Sequence, residues 1–85
     1  AAGYRQMTAA FDELGLEYVP SFGNFVLVKV GEDEGAGARV NLALLKQGVI
    51  VRPVGAYGLP QWLRISIGLP QENAAFITAL KKALG

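Results

Sequence analysis

The sequence predicts an α+β domain: a two-layer sandwich in which a small, mainly antiparallel sheet carries three helices on one face. Three observations predict it. Apolar residues recur at helical spacing in three segments, and four short runs rich in β-branched and aromatic residues lie between them. The resulting order is helix, strand, strand, helix, strand, strand, helix, so consecutive strands can pair as neighbours. Each amphipathic helix needs one apolar surface, and a single sheet face serves all three. The second face is then open to something else. At 85 residues the chain is one domain, 1–85. A domain of this size buries only about 60–65% of its unfolded surface, which makes the second face matter to stability as well.

The elements follow in order. Tyr4, Met7, Phe11 and Leu14 fall at steps of three and four and share one helix face, with Arg5, Asp12 and Glu13 off it. Gly15 is the stop, and Leu16 beyond it supplies the apolar contact that accompanies such a stop. Tyr18-Val19-Pro20 reads as a short or edge strand, because proline cannot donate to a ladder. After a turn over Ser21-Phe22-Gly23-Asn24, the run Phe25 to Val30 is β-prone and apolar on both faces, as a central strand should be. Gly31 to Gly37, with the acids Glu32-Asp33-Glu34, reads as a solvated loop, since it lacks the spaced oxygen ligands of a calcium loop. Ala38 to Gln47 forms the second helix, closed by Gly48.

Val49 to Arg52 is the third strand, ended by Pro53, and Gly55 to Pro60 is a loop with two glycines and a proline. In the fourth strand, Trp62 to Ile67, a period of two sends Leu63, Ile65 and Ile67 to one face and Trp62, Arg64 and Ser66 to the other. Pro70 fits the first position of the last helix, whose stripe is Phe76, Ile77, Leu80 and Leu84.

Composition removes most chemistries. The chain is 52% hydrophobic and 18% charged, too apolar for disorder. Lys29, Glu32, Lys46, Arg52 and Arg64 interrupt every apolar run, so no spanning helix is expected and no membrane partner. A net charge of +1, with Lys81-Lys82 the one adjacent basic pair, leaves no footprint for nucleic acid. The absence of His and Cys excludes disulfides, the usual zinc sites, thiol nucleophiles and histidine bases; no metal is expected, and cysteine absence fits a cytoplasmic location. The chain starts at Ala1 without methionine or a signal-peptide succession, as expected of an excised piece or a processed product.

Among the remaining candidates the arginines stand out. Lys46, Lys81 and Lys82 fall on exposed helix positions and Lys29 interrupts a strand, so none reads as a Schiff-base former. Arg64 lies within an apolar strand and Arg52 at the end of another, flanking one glycine-containing loop. A planar guanidinium grips a carboxylate or phosphate well in a partly desolvated pocket; the plainer alternative is pairing with Glu17, Glu72 or a carbonyl. Tyr57, between Ala56 and Gly58, could contact a ligand or cover the core, and Asn24 could contact a ligand or serve its own turn.

The linear order of several segments carries a resemblance. These are Gly23 to Val28, Leu44 to Pro53, Tyr57 to Pro60, Leu63 to Gly68 and Pro70 to Asn73. Together they make the chain similar to the C-terminal small domain of the histidinol-phosphate aminotransferases, which are fold-type-I pyridoxal-phosphate enzymes of class I/II. The resemblance covers nearly the whole chain, and the stretch from Gly48 to Asn73 is the specific part. It implies amino transfer between glutamate with 2-oxoglutarate and histidinol phosphate with its keto partner, in histidine biosynthesis. It implies that pyridoxal 5'-phosphate and its lysine belong to a large domain outside these residues, that no catalytic or cofactor-binding residue lies here, and that the complete enzyme is a cytoplasmic homodimer. It implies Arg64 as the arginine that binds the substrate carboxylate or phosphate, with Arg52 helping at the phosphate; Tyr57 and Asn24 join them as substrate-binding candidates on the reading of the residues alone. Leu69 departs from the Thr or Ser common before Pro70 in this family, so a helix cap worth about 1 kcal/mol is expected to be absent. The alternatives are an aromatic amino-acid aminotransferase of the same family or a stand-alone small-ligand-binding regulatory module.

Overall fold

The structure, a computed structural model, describes residues 2–20 and 23–85. Ser21 and Phe22 of the expected turn lie outside the described residues. Helix α1 spans Ala2–Leu14 and buries Met7 and Phe11, two of the residues that its spacing places on one face. Its end is fixed by paired backbone bonds: the Leu16 N–H reaches the Phe11 carbonyl at 2.8 Å and the Gly15 N–H reaches that of Asp12 at 3.1 Å. This pattern needs a left-handed residue, supplied by Gly15 at φ +70°. Helix α2, Ala36–Lys46, ends the same way. Val49 N–H bonds to the Leu44 carbonyl and Gly48 N–H to that of Leu45, both at 2.9 Å, with Gly48 at φ +79°. Leu16 and Val49, each just past a stop, pack half-buried against the core.

The strands β1 (Tyr18–Pro20), β2 (Phe25–Lys29), β3 (Arg52–Val54) and β4 (Leu59–Ser66) form one sheet in the order β1-β2-β4-β3, every neighbouring pair antiparallel. Pro20 and Pro53 both lie on edge strands, where a missing N–H leaves no inner ladder broken, and Pro60 stands near the start of the central strand β4, beyond the residues paired with β2. A short 3₁₀ turn, Gly55–Tyr57, joins β3 to β4, and helix α3 runs Pro70–Leu84. One core holds the layers together. Met7 and Phe11 from α1, Val40 and Leu44 from α2, and Phe76 and Leu80 from α3 meet Val26, Val28, Leu63 and Ile65 of the two central strands. The three helices therefore share one sheet face, as the patterning requires. Among the described residues no helix is long and apolar enough to cross a membrane.

Three boundaries differ from the sequence expectation. Strand β4 begins at Leu59, inside the segment Gly55 to Pro60 read as a loop, because Leu59 already pairs with Val54 of β3. Helix α2 starts at Ala36, inside the segment read as a solvated loop, and Ala36 and Gly37 are buried. The cause is a close approach: a Cβ on Gly37 would collide with the Pro60 carbonyl of β4, so only glycine lets the helix start there. The acidic turn before it is held by Arg39, which donates to both Asp33 oxygens at 2.8 and 3.0 Å. That guanidinium holds the Asp33 carboxyl down at about 2. The third strand is Arg52–Val54, displaced from Val49–Arg52 and containing Pro53. The Val49 N–H is used in the α2 stop, and the chain first meets β4 at Arg52; Ile50 is left 84% exposed.

The N-terminus of α3 is held without a hydroxyl. Leu69 offers no side-chain acceptor, but Glu72 Oε1 accepts the Leu69 N–H at 2.8 Å, which is one half of a capping box. Asn73, buried at 2% exposure, supplies the rest of the clasp. Its Oδ1 accepts the Gly68 N–H at 2.9 Å, and its Nδ2 donates to the Gly68 carbonyl and to Gln6 Oε1, both at 3.1 Å. The β4–α3 turn is thereby tied to α1.

Candidate functional site

Directly opposed residues of antiparallel strands point to the same side of a sheet. Val19 faces Leu27, Leu27 faces Arg64, and Arg64 faces Arg52, so these four side chains form a row across all four strands. The neighbouring strand residues Leu63 and Ile65 are in the helix-side core, which places the row on the open face. Phe25 opposite Ser66 and Lys29 opposite Trp62 flank it. The alternation read for Trp62 to Ile67 is observed: Leu63 and Ile65 are buried, Ile67 is half-buried, and Trp62, Arg64 and Ser66 face the other way.

Arg64 is half-buried, and its guanidinium Cζ sits 4.5 Å from the centroid of the Phe25 ring. Its Nε is buried without a hydrogen-bond partner. Among the described residues neither Glu17 nor Glu72 pairs with it; Glu72 is engaged at Leu69. An unpaired buried donor is costly, and no acceptor among the described residues offsets it. Arg52 is exposed at the edge of the same row. Two guanidinium groups on opposed positions repel each other, and an anion with several oxygens between them reverses the sign of the interaction.

The other two candidates are not drawn into this row. Tyr57 stands on the 3₁₀ turn at the β3–β4 tip with 83% exposure, so it does not cover the core. Asn24 is exposed just before β2, where its carbonyl accepts the Ile67 N–H at 2.6 Å. A separate cleft of about 440 Å³ lies on the helix side, lined by residues such as Met7, Val49, Val51, Ile65 and Phe76, and includes none of the four candidates.

The sequence model of the aminotransferase class I and II family matches residues 1–80. The chain belongs to that family. Similar proteins include histidinol-phosphate aminotransferase 2 of Ralstonia nicotianae, 80% identical over 84 residues, and histidinol-phosphate aminotransferase 1 of Cupriavidus pinatubonensis, 70% identical over 83. The alignments cover 99% and 98% of this chain and 22% of each relative, so the chain spans about a fifth of their length. Among solved structures, histidinol-phosphate aminotransferase from Sinorhizobium meliloti in complex with pyridoxal-5'-phosphate superposes with a TM-score of 0.86 at 25% identity, over 98% of this chain and 23% of that one.

The described residues do not themselves fit the cofactor of that structure. Pyridoxal phosphate needs a lysine amine in a desolvated pocket and a cradle for its phosphate. Lys29 is paired with Glu32 at 3.1 Å and Lys81 with Glu13 at 3.0 Å, while Lys46 and Lys82 stand in solvent. No cluster of metal-ligating side chains occurs among the described residues. What the site offers is two guanidinium groups on an open, partly apolar sheet face.

Phe25 is the residue of this site that sequence reasoning missed. A strand apolar on both faces gives no reason to single it out, and its meaning depends on the pairing register between β2 and β4. The signal available was an aromatic at the i, i+2 spacing that also carries Leu27 and Lys29.

Proposed function

We propose that residues 1–85 are the substrate-binding small domain of a pyridoxal-phosphate-dependent histidinol-phosphate aminotransferase, acting with a large domain of the same protein that holds the cofactor. In the reaction the amino group leaves histidinol phosphate, which becomes imidazole acetol phosphate, and 2-oxoglutarate becomes glutamate. The cofactor supplies the electron sink for that exchange. The role of this chain is to bind and orient the anionic end of the substrate. The observation that carries the reading is the opposed pair Arg52 and Arg64, directed to the open face with no acid paired to either among the described residues. Two fixed positive charges suit a phosphate dianion better than a lone carboxylate. The names of the relatives at 80% and 70% identity support the same substrate. The reading includes Tyr57 and Asn24 as outer substrate contacts, and a cytoplasmic homodimer as the complete enzyme.

The test uses the complete protein. Arg64→Ala should lower kcat/KM for histidinol phosphate by at least about thirtyfold, because truncating one partner of a desolvated charge pair costs roughly 2–5 kcal/mol. Unchanged kinetics would defeat the site. A higher kcat/KM for phenylalanine or tyrosine than for histidinol phosphate would favour an aromatic amino-acid aminotransferase, and turnover by the 85-residue chain alone would overturn the division of labour.

A further inference from the structure

Arg64 is held in place by a ring, and no acid is paired with it among the described residues. Phe25 stands opposite Ser66 and Leu27 opposite Arg64, so Phe25 and Arg64 are diagonal neighbours on the open face of adjacent strands. The guanidinium carbon lies 4.5 Å from the ring centroid, inside the range in which an aromatic face attracts a cation. Each chemistry that could fix a long arginine side chain has a different consequence. A carboxylate would fix it and cancel its charge. A backbone carbonyl would fix it and use up donors. An aromatic face fixes the guanidinium plane while leaving the whole positive charge, and the N–H groups at its tip, for a ligand. The other neighbours of Arg64 in the row, Leu27 and Arg52, can do neither: one offers no charge and the other repels.

We propose that Phe25 is a positioning residue for substrate binding, acting through Arg64: its ring holds the guanidinium aimed at the substrate anion without neutralising it. The inference rests on the reading of Arg64 as the anion grip. Because the ring acts on a charge that binds substrate and transition state alike, its loss should raise KM and leave kcat nearly unchanged.

The experiment is a set of variants of the complete protein, assayed with histidinol phosphate and 2-oxoglutarate. Phe25→Leu should raise KM for histidinol phosphate about tenfold, with kcat changed less than about twofold. Phe25→Tyr, which keeps the ring, should behave as the parent does. Phe25→Met, which fills the space without a π-face, should follow Phe25→Leu and replaces it if that variant does not fold. In the background of Arg64→Gln, Phe25→Leu should have no further effect on KM. If Arg64→Gln itself leaves KM unchanged, the reading of the site fails. If Arg64→Gln raises KM but the ring-free variants do not, the positioning role is overturned while the site stands. The role is equally overturned if Phe25→Tyr matches Phe25→Leu, or if Phe25→Leu acts undiminished beside Arg64→Gln.

Discussion

Arg52 and Arg64 stand directly opposite each other on β3 and β4, with their side chains on the same face of the sheet and no carboxylate paired to either among the described residues. Like charges at opposed strand positions are destabilising, so the arrangement stores a repulsion that an anion converts into attraction. Inorganic phosphate should therefore raise the thermal midpoint of unfolding, and added chloride should weaken the effect through screening. Arg52→Gln should raise the midpoint in phosphate-free buffer, by an amount equivalent to roughly 0.5 kcal/mol, and blunt the response to phosphate. A midpoint for Arg52→Gln below that of the parent, followed by calorimetry, would contradict this account.

Asn73 couples three segments through one buried amide. Asn73→Ala removes the acceptor for the Gly68 N–H and the donor to Gly68 and Gln6. The unpaired groups left behind should cost about 1–3 kcal/mol in urea denaturation. Asn73→Asp keeps the acceptor but loses both donated bonds and buries a charge, so it should be the more damaging of the two.

Gly37→Ala should be destabilising by roughly 1–3 kcal/mol, because the added methyl meets the Pro60 carbonyl and either α2 or β4 must move. Gly48→Ala tests a different cost. A Cβ there meets open space, so the penalty of about 1–2 kcal/mol arises from the left-handed backbone at φ +79° alone. Equal stability of Gly37→Ala and the parent in denaturant titrations would show that the close approach is not maintained in solution.

The Asp33–Arg39 pair gives a signed pH dependence. The hydrogen bonds from Arg39 lower the Asp33 carboxyl from 3.8 to about 2. A depressed acid contributes stability above its unfolded value and loses it as the pH falls, so any contribution here is full above about 4 and disappears as the pH falls through about 2. The pair is solvent-exposed, and its effect on global unfolding should be small. Carboxyl-carbon NMR titration of Asp33 should show its midpoint rising toward 3.8 in Arg39→Gln; an unmoved midpoint would reject the pairing.

The sequence by itself determined the elements whose signals are local. The spacing of Met7 and Phe11, the stops at Gly15 and Gly48, the edge character of Tyr18 to Pro20 and the two-residue alternation around Arg64 all follow from one chain segment at a time. It also singled out the two arginines, since charged side chains on apolar strands are conspicuous without any partner in view. Tertiary structure alone decided what depends on contact between distant segments. The start of α2 was set by the approach of Gly37 to Pro60, and the position of β3 by where the chain first meets β4. The opposition of Arg52 and Arg64 and the ring beneath Arg64 were set by strand register, in which a shift of one residue would turn every one of these side chains to the other face.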